Sequence, residues 1–220
     1  MIAAIDLEEG LAALAAAGVA LPHGAREKLG AYLALLAKWN SVYNLTAIRD
    51  PGQMITHHVL DALAVLPHLP ATEHERVLDV GSGGGVPGLP LAIARPDWSV
   101  VLLDSNHKKA AFLRQAAIEI PLANVETVTA RVEDYAPATP FGIVISRAFS
   151  DLETFAQSSA RHLAPAGRLY AMKGVFPDEE IAQLSPTVRM VGVSALAVPG
   201  LDAQRHLVMM EVVAAPGEVA

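Results

Sequence analysis

The spacing of apolar residues changes character near residue 70 of the chain. Before that point, apolar side chains recur every three or four positions, a period typical of amphipathic helices. This period predicts three helices, over 6–18, 26–40 and roughly 53–66. Asp6 stands three residues before Glu9, and Ser150 three before Glu153, which is the spacing of an N-terminal helix cap. Residues 1–70 are therefore predicted to form a helical appendage.

Beyond residue 70 the chain alternates between short apolar runs and helix-length spacers, which is the pattern of α/β proteins. The runs predict strands at 76–80, 99–104, 125–130, 141–146 and 167–173. Strands separated in this way form a parallel sheet that helices cover on both faces. Two final runs, 187–198 and 205–213, predict an antiparallel pair. We therefore predict an open, doubly wound, mostly parallel α/β sheet that forms a single domain over 71–220.

The composition of the 220-residue chain excludes several classes of protein. It contains no cysteine, which excludes disulfides, thiolate metal sites and a cysteine nucleophile. A formal charge of −7 argues against a protein that coats nucleic acid nonspecifically, because such binding depends on lysine and arginine. Residues 76–150 are balanced in charge and are where a cationic face would lie.

Two features of the sequence bear on its location in the cell. No apolar run approaches the ~20 residues needed to cross a bilayer. Residues 1–10 carry acids where a secretory signal carries basic residues. We therefore expect a cytoplasmic protein with no membrane partner, and we expect it to be a monomer.

A glycine cluster directly after the first predicted strand, DVGSGGGVPG at 79–88, is the candidate ligand loop. Gly81 and Gly83 allow a ligand to approach the backbone closely, at the place where doubly wound sheets bind cofactors. Asp79 stands two residues before G-x-G-x-G, the arrangement found in loops that bind S-adenosylmethionine (SAM). Asp104, at the end of the second predicted strand, would accept hydrogen bonds from the two ribose hydroxyls.

Other interpretations of this loop remain open at the level of sequence. Gly83, Gly85 and Gly88 also satisfy G-x-G-x-x-G, with Asp104 about 20 residues further on, as in enzymes that bind nicotinamide dinucleotides. The alternative function is thus a nicotinamide-dependent oxidoreductase, which the segments after Asp104 oppose. A SAM-binding protein without catalysis would have the same loop.

The ends of the later strands add four candidate site residues. Val132 and Glu133 follow the third strand, where one would pack on an adenine ring and the other would accept from its amino group or nearby backbone. A solvated turn acid is the alternative for Glu133. Arg147 ends the fourth strand and Lys173 the fifth, and a buried strand rarely ends in arginine without an anionic or polar partner. We expect both to contact phosphate or base.

Several other polar and aromatic residues lie outside the strand ends and are interpreted separately. His57 and Asp61 share a helix face, but two ligands do not make a metal site, so a capped or surface helix is favoured. Trp39 is expected to pack against the sheet. The roles of four residues stay open: Tyr43, Asn44, His57 and His58. Weaker candidates for RNA contact are Lys108, Lys109, Arg114 and Arg205.

Taken in order, several motifs resemble those of the RsmG (GidB) family, whose members are SAM-dependent enzymes that methylate N7 of a guanosine in 16S ribosomal RNA. The segments are KWNSVYNLTAI, HHVLDAL, VLDVGSGGGVPGLPLAI, LLDSNHKKAAFLRQ, ARVEDY, VISRAF, AMKG and RHLVMME, from residue 38 to residue 211. The resemblance implies a class I methyltransferase fold and SAM as cofactor. It implies cofactor-binding roles for Gly81, Val86, Val132, Glu133 and Arg147. The partner that it implies is 16S rRNA in the small ribosomal subunit or its precursor.

The chemistry implied by this resemblance needs few catalytic groups. Guanine N7 carries a lone pair and no proton, so its attack on a sulfonium methyl requires no general base. Arg147 and Lys173 are therefore expected to position the substrate. The Asn/Asp-Pro-Pro-aromatic segment typical of enzymes that methylate the adenine amino group is replaced here by SRAF.

Overall fold

The structure is a computed structural model that describes residues 5–147 and 149–213. The helices are α1 (Leu7–Ala16), α2 (Ala25–Tyr43), α3 (Pro51–Met54), α4 (Asp61–Leu63), α5 (Gly88–Ala94), α6 (His107–Glu119), α7 (Leu152–Ser159) and α8 (Asp178–Ala182). A π-helical segment, Ile55–Leu60, joins α3 to α4 without a break, and short 3-10 turns occupy Leu66–His68 and Ala160–His162. The strands are β1 (Arg76–Val80), β2 (Ser99–Leu103), β3 (Val125–Val128), β4 (Phe141–Ser146), β5 (Leu163–Lys173), β6 (Val188–Ala195) and β7 (His206–Val212).

Within the described residues, seven strands form one sheet in the order β3-β2-β1-β4-β5-β7-β6. Strands β1 to β5 run parallel, whereas β7 is antiparallel to both β5 and β6. The strand order reverses between β1 and β4, and a crevice forms beyond the carboxyl ends of strands at such a point. The predicted doubly wound, mostly parallel sheet with a final antiparallel pair is confirmed.

The N-terminal helices share their core with one face of the sheet. Leu29, Tyr32 and Leu36 of α2 belong to the same buried cluster as Phe112 of α6 and Ile145 of β4. A second cluster covers the opposite face of the sheet. The helical segment is thus packed directly against the part of the chain that carries the glycine loop. The boundary near residue 70 stays a prediction.

The caps of two helices test the spacing predicted from sequence. Asp6 accepts from the Glu9 amide at 2.8 Å, so the first cap is confirmed. The cap predicted at Ser150 is wrong, because the Asp151 carboxylate accepts from the Thr154 amide at 2.7 Å instead. A charged acceptor next to a helix N-terminus satisfies its free amides better than a hydroxyl does. Glu153 is used elsewhere and accepts from the Ser185 amide.

Membrane spans were considered for the helices of residues 5–147 and 149–213. None of these helices combines the length and the apolar composition that crossing a bilayer requires.

Candidate active site

The glycine loop that follows β1 is held at its start by backbone hydrogen bonds to β2. The amides of Gly81 and Ser82 donate to the Leu103 carbonyl of β2 at 2.8 and 3.1 Å. Gly81, Gly83 and Gly85 have φ angles of 74°, 56° and 86°, a left-handed conformation that favours glycine. The Gly83 amide donates to Asp104 Oδ2 at 2.8 Å, and Asp104 Oδ1 accepts from the Asn106 amide. Asp104 therefore organises the loop as well as lying beside it.

Asp79 lies beneath this loop and has no exposed surface. Its Oδ2 accepts from the Gly88 amide at 3.0 Å, at the first residue of α5. A Cβ atom at Gly88 would lie 2.7 Å from that oxygen, so only glycine fits there. Burial raises the pKa of the Asp79 carboxyl to about 7. Asp79 was predicted among the cofactor-binding residues, and it supports the loop from below.

A cavity of about 190 Å³, which we call the Glu133 cavity, lies on one side of the glycine loop. It is lined by Val80, Gly81, Leu103, Asp104, Ser105, Ala130, Arg131, Val132, Glu133 and Phe149. The sequence predictions for Gly81, Asp104, Val132 and Glu133 thus converge on one space. Apolar and acidic side chains face each other across it.

The backbone next to the Glu133 cavity is held by the 3-10 turn that follows α7. Arg161 donates to the carbonyls of Glu133 and Tyr135 at 2.7 and 2.9 Å. His162 Nε2 lies 2.9 Å from the Val132 carbonyl and is buried. These contacts hold Val132 in the core while the Glu133 side chain remains exposed.

A second cavity of about 190 Å³, the loop cavity, lies on the other side of Gly81. It is lined by Leu36, Leu45, Thr46, His58, Gly81, Ser82, Gly83, Gly84, Val86, Lys109 and Arg147. Tyr32 of α2 is fully buried and donates its hydroxyl to the Gly84 carbonyl at 2.7 Å. The N-terminal helices therefore supply one wall of this cavity and a direct bond to the glycine loop.

A third cavity, the Arg147 cavity, measures about 390 Å³ and is larger than the Glu133 cavity and the loop cavity. It is lined by Thr46, Ala47, Ile48, His57, His58, Asp61, Arg147, Met172, Lys173, Gly174 and Arg205. Thr46, His58 and Arg147 line both this cavity and the loop cavity. The three cavities therefore follow one another along the carboxyl ends of the strands, with Arg147 between the second and the third.

Arg147 is anchored by the π-helical segment and the residue after it. Its Nη1 donates to the His57 carbonyl at 2.7 Å and lies 3.3 Å from His58 Nδ1. The same nitrogen is 3.6 Å from Asp61 Oδ2, and Asp61 Oδ1 is 3.2 Å from Nε of Arg205. A π-helical turn exposes backbone groups that an α-helix would use internally, and such turns often occur at functional sites.

The charge states of this cluster follow from burial and from the two arginines. Burial, together with the charge of Arg147, lowers the pKa of His58 to about 4. Burial lowers the pKa of His57 as well, with Arg205 acting in the same direction. Burial raises the pKa of Asp61, and the two guanidinium groups oppose that rise. Both histidines are therefore neutral near pH 7.

Lys173 lies at the end of β5 in the Arg147 cavity, the place where the sequence put it. Its Nζ forms an ion pair with Glu180 at 2.7 Å, and only 13% of its side chain is exposed. The sequence indicated no such partner, because Glu180 belongs to α8 and meets Lys173 only through the fold. Arg147 and Arg205 thus remain the more accessible cations of this cavity, with 30% and 22% exposure.

The surface helix favoured for His57, His58 and Asp61 is wrong for two of the three. His58 and Asp61 are 2% and 1% exposed, because α1, Arg147 and Arg205 pack around this segment of the chain. Among residues 5–147 and 149–213, no group of three or more histidine and carboxylate side chains could hold a metal ion. The i, i+3 spacing of His58 and Asp61 was the available signal for a shared buried face.

The remaining candidates lie around the edge of the site. Trp39 contacts Phe112 and Tyr43, with ring centroids 5.7 and 5.2 Å apart, which fits packing. Asn44 accepts from Arg49, and neither Tyr43 nor Asn44 lines one of the three cavities. Lys109 lines the loop cavity, whereas Lys108 is exposed and Arg114 donates to Thr129.

Comparison with known families decides between the two interpretations of the glycine loop. The family model described as GidB, rRNA small subunit methyltransferase G, matches residues 25–208. The chain belongs to this family. The match begins in α2 and includes the segments that line all three cavities, so the nicotinamide-dependent oxidoreductase is not supported.

Individual proteins agree with the family assignment. A ribosomal RNA small subunit methyltransferase G from Laribacter hongkongensis is 53% identical over 203 residues, covering 92% of this chain and 97% of the relative. The protein of the same name from Chromobacterium violaceum is 53% identical over 205 residues, covering 93% and 96%. The crystal structure of a SAM-dependent methyltransferase from Aquifex aeolicus has a TM-score of 0.58 at 16% identity, covering 80% of this chain and 97% of that one. At that identity the structural likeness concerns the fold alone.

Proposed function

We propose that this protein transfers the methyl group of SAM to N7 of a specific guanosine in 16S rRNA, within the small ribosomal subunit or its precursor. The observation that carries the proposal is the run of three cavities at the switch point of the sheet. Two smaller cavities flank Gly81, and the larger one begins at Arg147. This layout suits a cofactor lying along the glycine loop with its reactive end toward an acceptor beyond Arg147.

The residues around the Glu133 cavity fit an adenosine. Val132 and Phe149 offer apolar surface to a purine, while Asp104 and Glu133 offer carboxylate acceptors to hydroxyl and amino groups. The backbone of Gly81 and the side chain of Val86 line the next cavity, where the amino-acid portion would lie. SAM, when bound, supplies an electrophilic methyl group on a sulfonium. We assign cofactor binding to Gly81, Gly83, Val86, Asp104, Val132, Glu133 and Arg147, with Asp79 supporting the loop from beneath.

The Arg147 cavity suits a guanine acceptor because its exposed cations are hydrogen-bond donors. Guanine O6 accepts hydrogen bonds, and arginine is the residue that most often contacts this base edge. Arg147 and Arg205 can therefore orient the ring while N7 stays free to attack. His58, with a pKa of about 4, is a weak base near neutrality, and this reaction has no proton to remove. Lys173, neutralised by Glu180, helps to shape this wall.

The acceptor must reach a cofactor that lies in a cleft, so the target nucleotide is presented from a loop or turned out of its stack. Acting on the small subunit or its precursor places the reaction in the cytoplasm. We propose that the protein acts there as a monomer.

The proposal is tested with small subunits from a strain that lacks the gene. Purified protein and radiolabelled SAM should label 16S rRNA at one guanosine, which borohydride and aniline then cleave because N7-methylguanosine is sensitive to that treatment. A labelled product that resists cleavage would contradict the N7 assignment and leave methyl transfer intact.

Cofactor identity is checked separately by protein stability. SAM at ~100 times its dissociation constant should stabilise the fold by about 2.7 kcal/mol, because a ligand that binds only the folded state shifts the equilibrium by mass action. NAD should give no such shift. A larger shift with NAD than with SAM would reverse the choice of cofactor.

A further inference from the structure

Asp61 lies where two cavity arginines, distant from each other in sequence, come together. Its Oδ2 is 3.6 Å from Nη1 of Arg147, and its Oδ1 is 3.2 Å from Nε of Arg205. Arg147 follows β4, whereas Arg205 directly precedes β7, and the intervening β5 separates those strands in the sheet. One carboxylate from the N-terminal helices thus bridges two cations carried by the sheet.

The exposure of the three side chains separates their roles. Only 2% of the Asp61 side chain is exposed, against 30% for Arg147 and 22% for Arg205. A substrate in the cavity therefore meets the guanidinium groups and not the carboxylate. Asp61 can influence the reaction only through the groups that it holds.

The balance of charged side chains in the Arg147 cavity explains why the two arginines share a single carboxylate. Arg147 and Arg205 bring two positive charges and Asp61 one negative charge, while Lys173 is already paired with Glu180. A second carboxylate would neutralise the pair and remove the attraction for an electron-rich acceptor. With none, two guanidinium groups would repel each other in a partly buried space.

We infer that Asp61 is a positioning residue, which fixes the Arg147 and Arg205 guanidinium groups at the separation and orientation needed to align the acceptor base. The π-helical segment contributes to the same task, because the His57 carbonyl accepts from the nitrogen of Arg147 that Asp61 contacts. Long arginine side chains lose rotamer entropy when they are fixed, and Asp61 fixes both of them before substrate binds. The inference rests on the proposed function, since it assigns the arginines to the acceptor.

The decisive variant is Asp61→Asn, which keeps the size of the side chain and removes its charge. We expect kcat for methylation of the small subunit to fall about ten-fold or more, because small errors in alignment are costly. The KM for SAM should rise by less than kcat falls, because Asp61 contacts Arg147 but none of the residues that line the Glu133 cavity. A purely structural role would lower the melting temperature and leave kcat per folded molecule unchanged, and that result would overturn the inference.

A double-mutant cycle locates the effect. In an Arg147→Lys background, Asp61→Asn should lower kcat by less than about two-fold. The effects of two residues that act through one another are not additive. Losses that simply multiply would show that Asp61 does not act through Arg147. The matched control is Asp97→Asn, which breaks the Arg95–Asp97 pair of 2.7 Å at the opposite end of the sheet and should leave kcat unchanged.

Removing a buried charge can prevent folding, so a second variant keeps the test decisive. Asp61→Glu retains the charge but lengthens the side chain by one methylene, which displaces both guanidinium groups. We expect its kcat to fall about three-fold or more, with a smaller change in the KM for SAM, because the alignment and not the charge is altered. Wild-type kcat in this variant would refute positioning. Absence of methyl transfer by the wild-type protein would instead refute the proposed function.

Discussion

The two sides of the cleft are built by different physical means. The Glu133 side is built mostly from segments that directly follow β1, β2 and β3, and hydrogen bonds between side chains and backbone groups hold them, such as the Gly83 amide to Asp104 and Arg161 to the Glu133 carbonyl. The Arg147 side collects residues from five separate segments of the chain, and ion pairs such as those of Asp61 with Arg147 and Arg205 hold them together. One side depends on local chain geometry and the other on tertiary assembly.

This difference indicates what each side is suited to bind. Fixed backbone amides and carboxylates around glycine match an invariant ligand, because a cofactor presents the same groups every time. Charged side chains on separate elements suit a larger partner that arrives with its own shape and charge. The two sides meet at Arg147 and Gly81, so substitutions can perturb one side while the other serves as an internal control.

The largest effect is expected from removing the central cation of the acceptor side. Arg147→Ala should lower the methylation rate about 100-fold or more while the protein stays folded, a loss typical of removing an oriented donor from an active site. Arg147→Lys should rescue poorly, because the planar fork that meets His57 and Asp61 is lost. Single-turnover methyl transfer to small subunits is the measurement.

The control for Arg147 is another partly buried arginine with a carboxylate partner. Arg95 pairs with Asp97 and lies over the Trp98 ring, near the start of β2 and away from the cavities. Arg95→Ala should lower stability without changing the rate. Full activity in Arg147→Ala would reduce Arg147 to a packing residue and remove the contrast between the two sides.

The next largest effect is expected on the cofactor side. Asp104→Ala should weaken SAM binding by roughly 1.5–3 kcal/mol, the range for a hydrogen bond to a charged group. The loss has two sources, the expected bonds to the ribose and the observed bond to the Gly83 amide. Calorimetric titration measures it, and Asp134→Ala is the control, because Asp134 is an exposed acid that lines none of the three cavities. Equal affinities in both variants would exclude Asp104 from the cofactor site.

This contrast also explains how much could be predicted from the sequence. The strands, their parallel order and the converging residues Gly81, Asp104 and Val132 follow from apolar runs and from the residues that end them. Each of those features is encoded within a few positions of the chain. The sheet topology then brings strand ends together without further information.

The acceptor side could not be derived in the same way. The burial of Asp61 depends on two arginines far along the chain, and no local pattern reports that environment. The π-helical turn at Ile55–Leu60 reads as an ordinary amphipathic helix, because its side-chain spacing differs from the α-helical period by less than one residue per turn. The pairing of Lys173 with Glu180 likewise requires the fold.

A smaller effect, on the pH dependence of stability, is expected at Asp79, which lies beneath the glycine loop. Burial raises the pKa of Asp79 to about 7 in the folded protein. The protonated carboxyl therefore contributes stability that is fully present below the pKa of the unfolded state, and this contribution is lost as pH rises through about 7. Asp79→Asn still accepts from Gly88 but cannot ionise. Between about pH 4 and pH 7, the variant should therefore gain roughly 1 kcal/mol per pH unit over wild type in free energy of unfolding.

Urea unfolding without SAM over this pH range measures the difference directly. Above about pH 7 the two profiles should run parallel, since wild-type Asp79 is then ionised in both states. Parallel profiles across the whole range would mean that the folded carboxyl titrates normally. In that case Asp79 would have to be more accessible than its zero exposure indicates.

The smallest effect is expected where the N-terminal helices bond to the glycine loop. Tyr32→Phe removes the hydroxyl that donates to the Gly84 carbonyl at 2.7 Å, and loss of one such bond costs about 1 kcal/mol of stability. Tyr170→Phe is a matched control, because Tyr170 is also about fully buried, at 1% exposure, but lies on β5 away from the loop. Urea unfolding measures the loss of stability in each variant. Only Tyr32→Phe should also weaken SAM binding, by a few-fold, because the glycine loop is then less constrained. Equal SAM affinities in the two variants would show that α2 stabilises the core without contributing to cofactor binding.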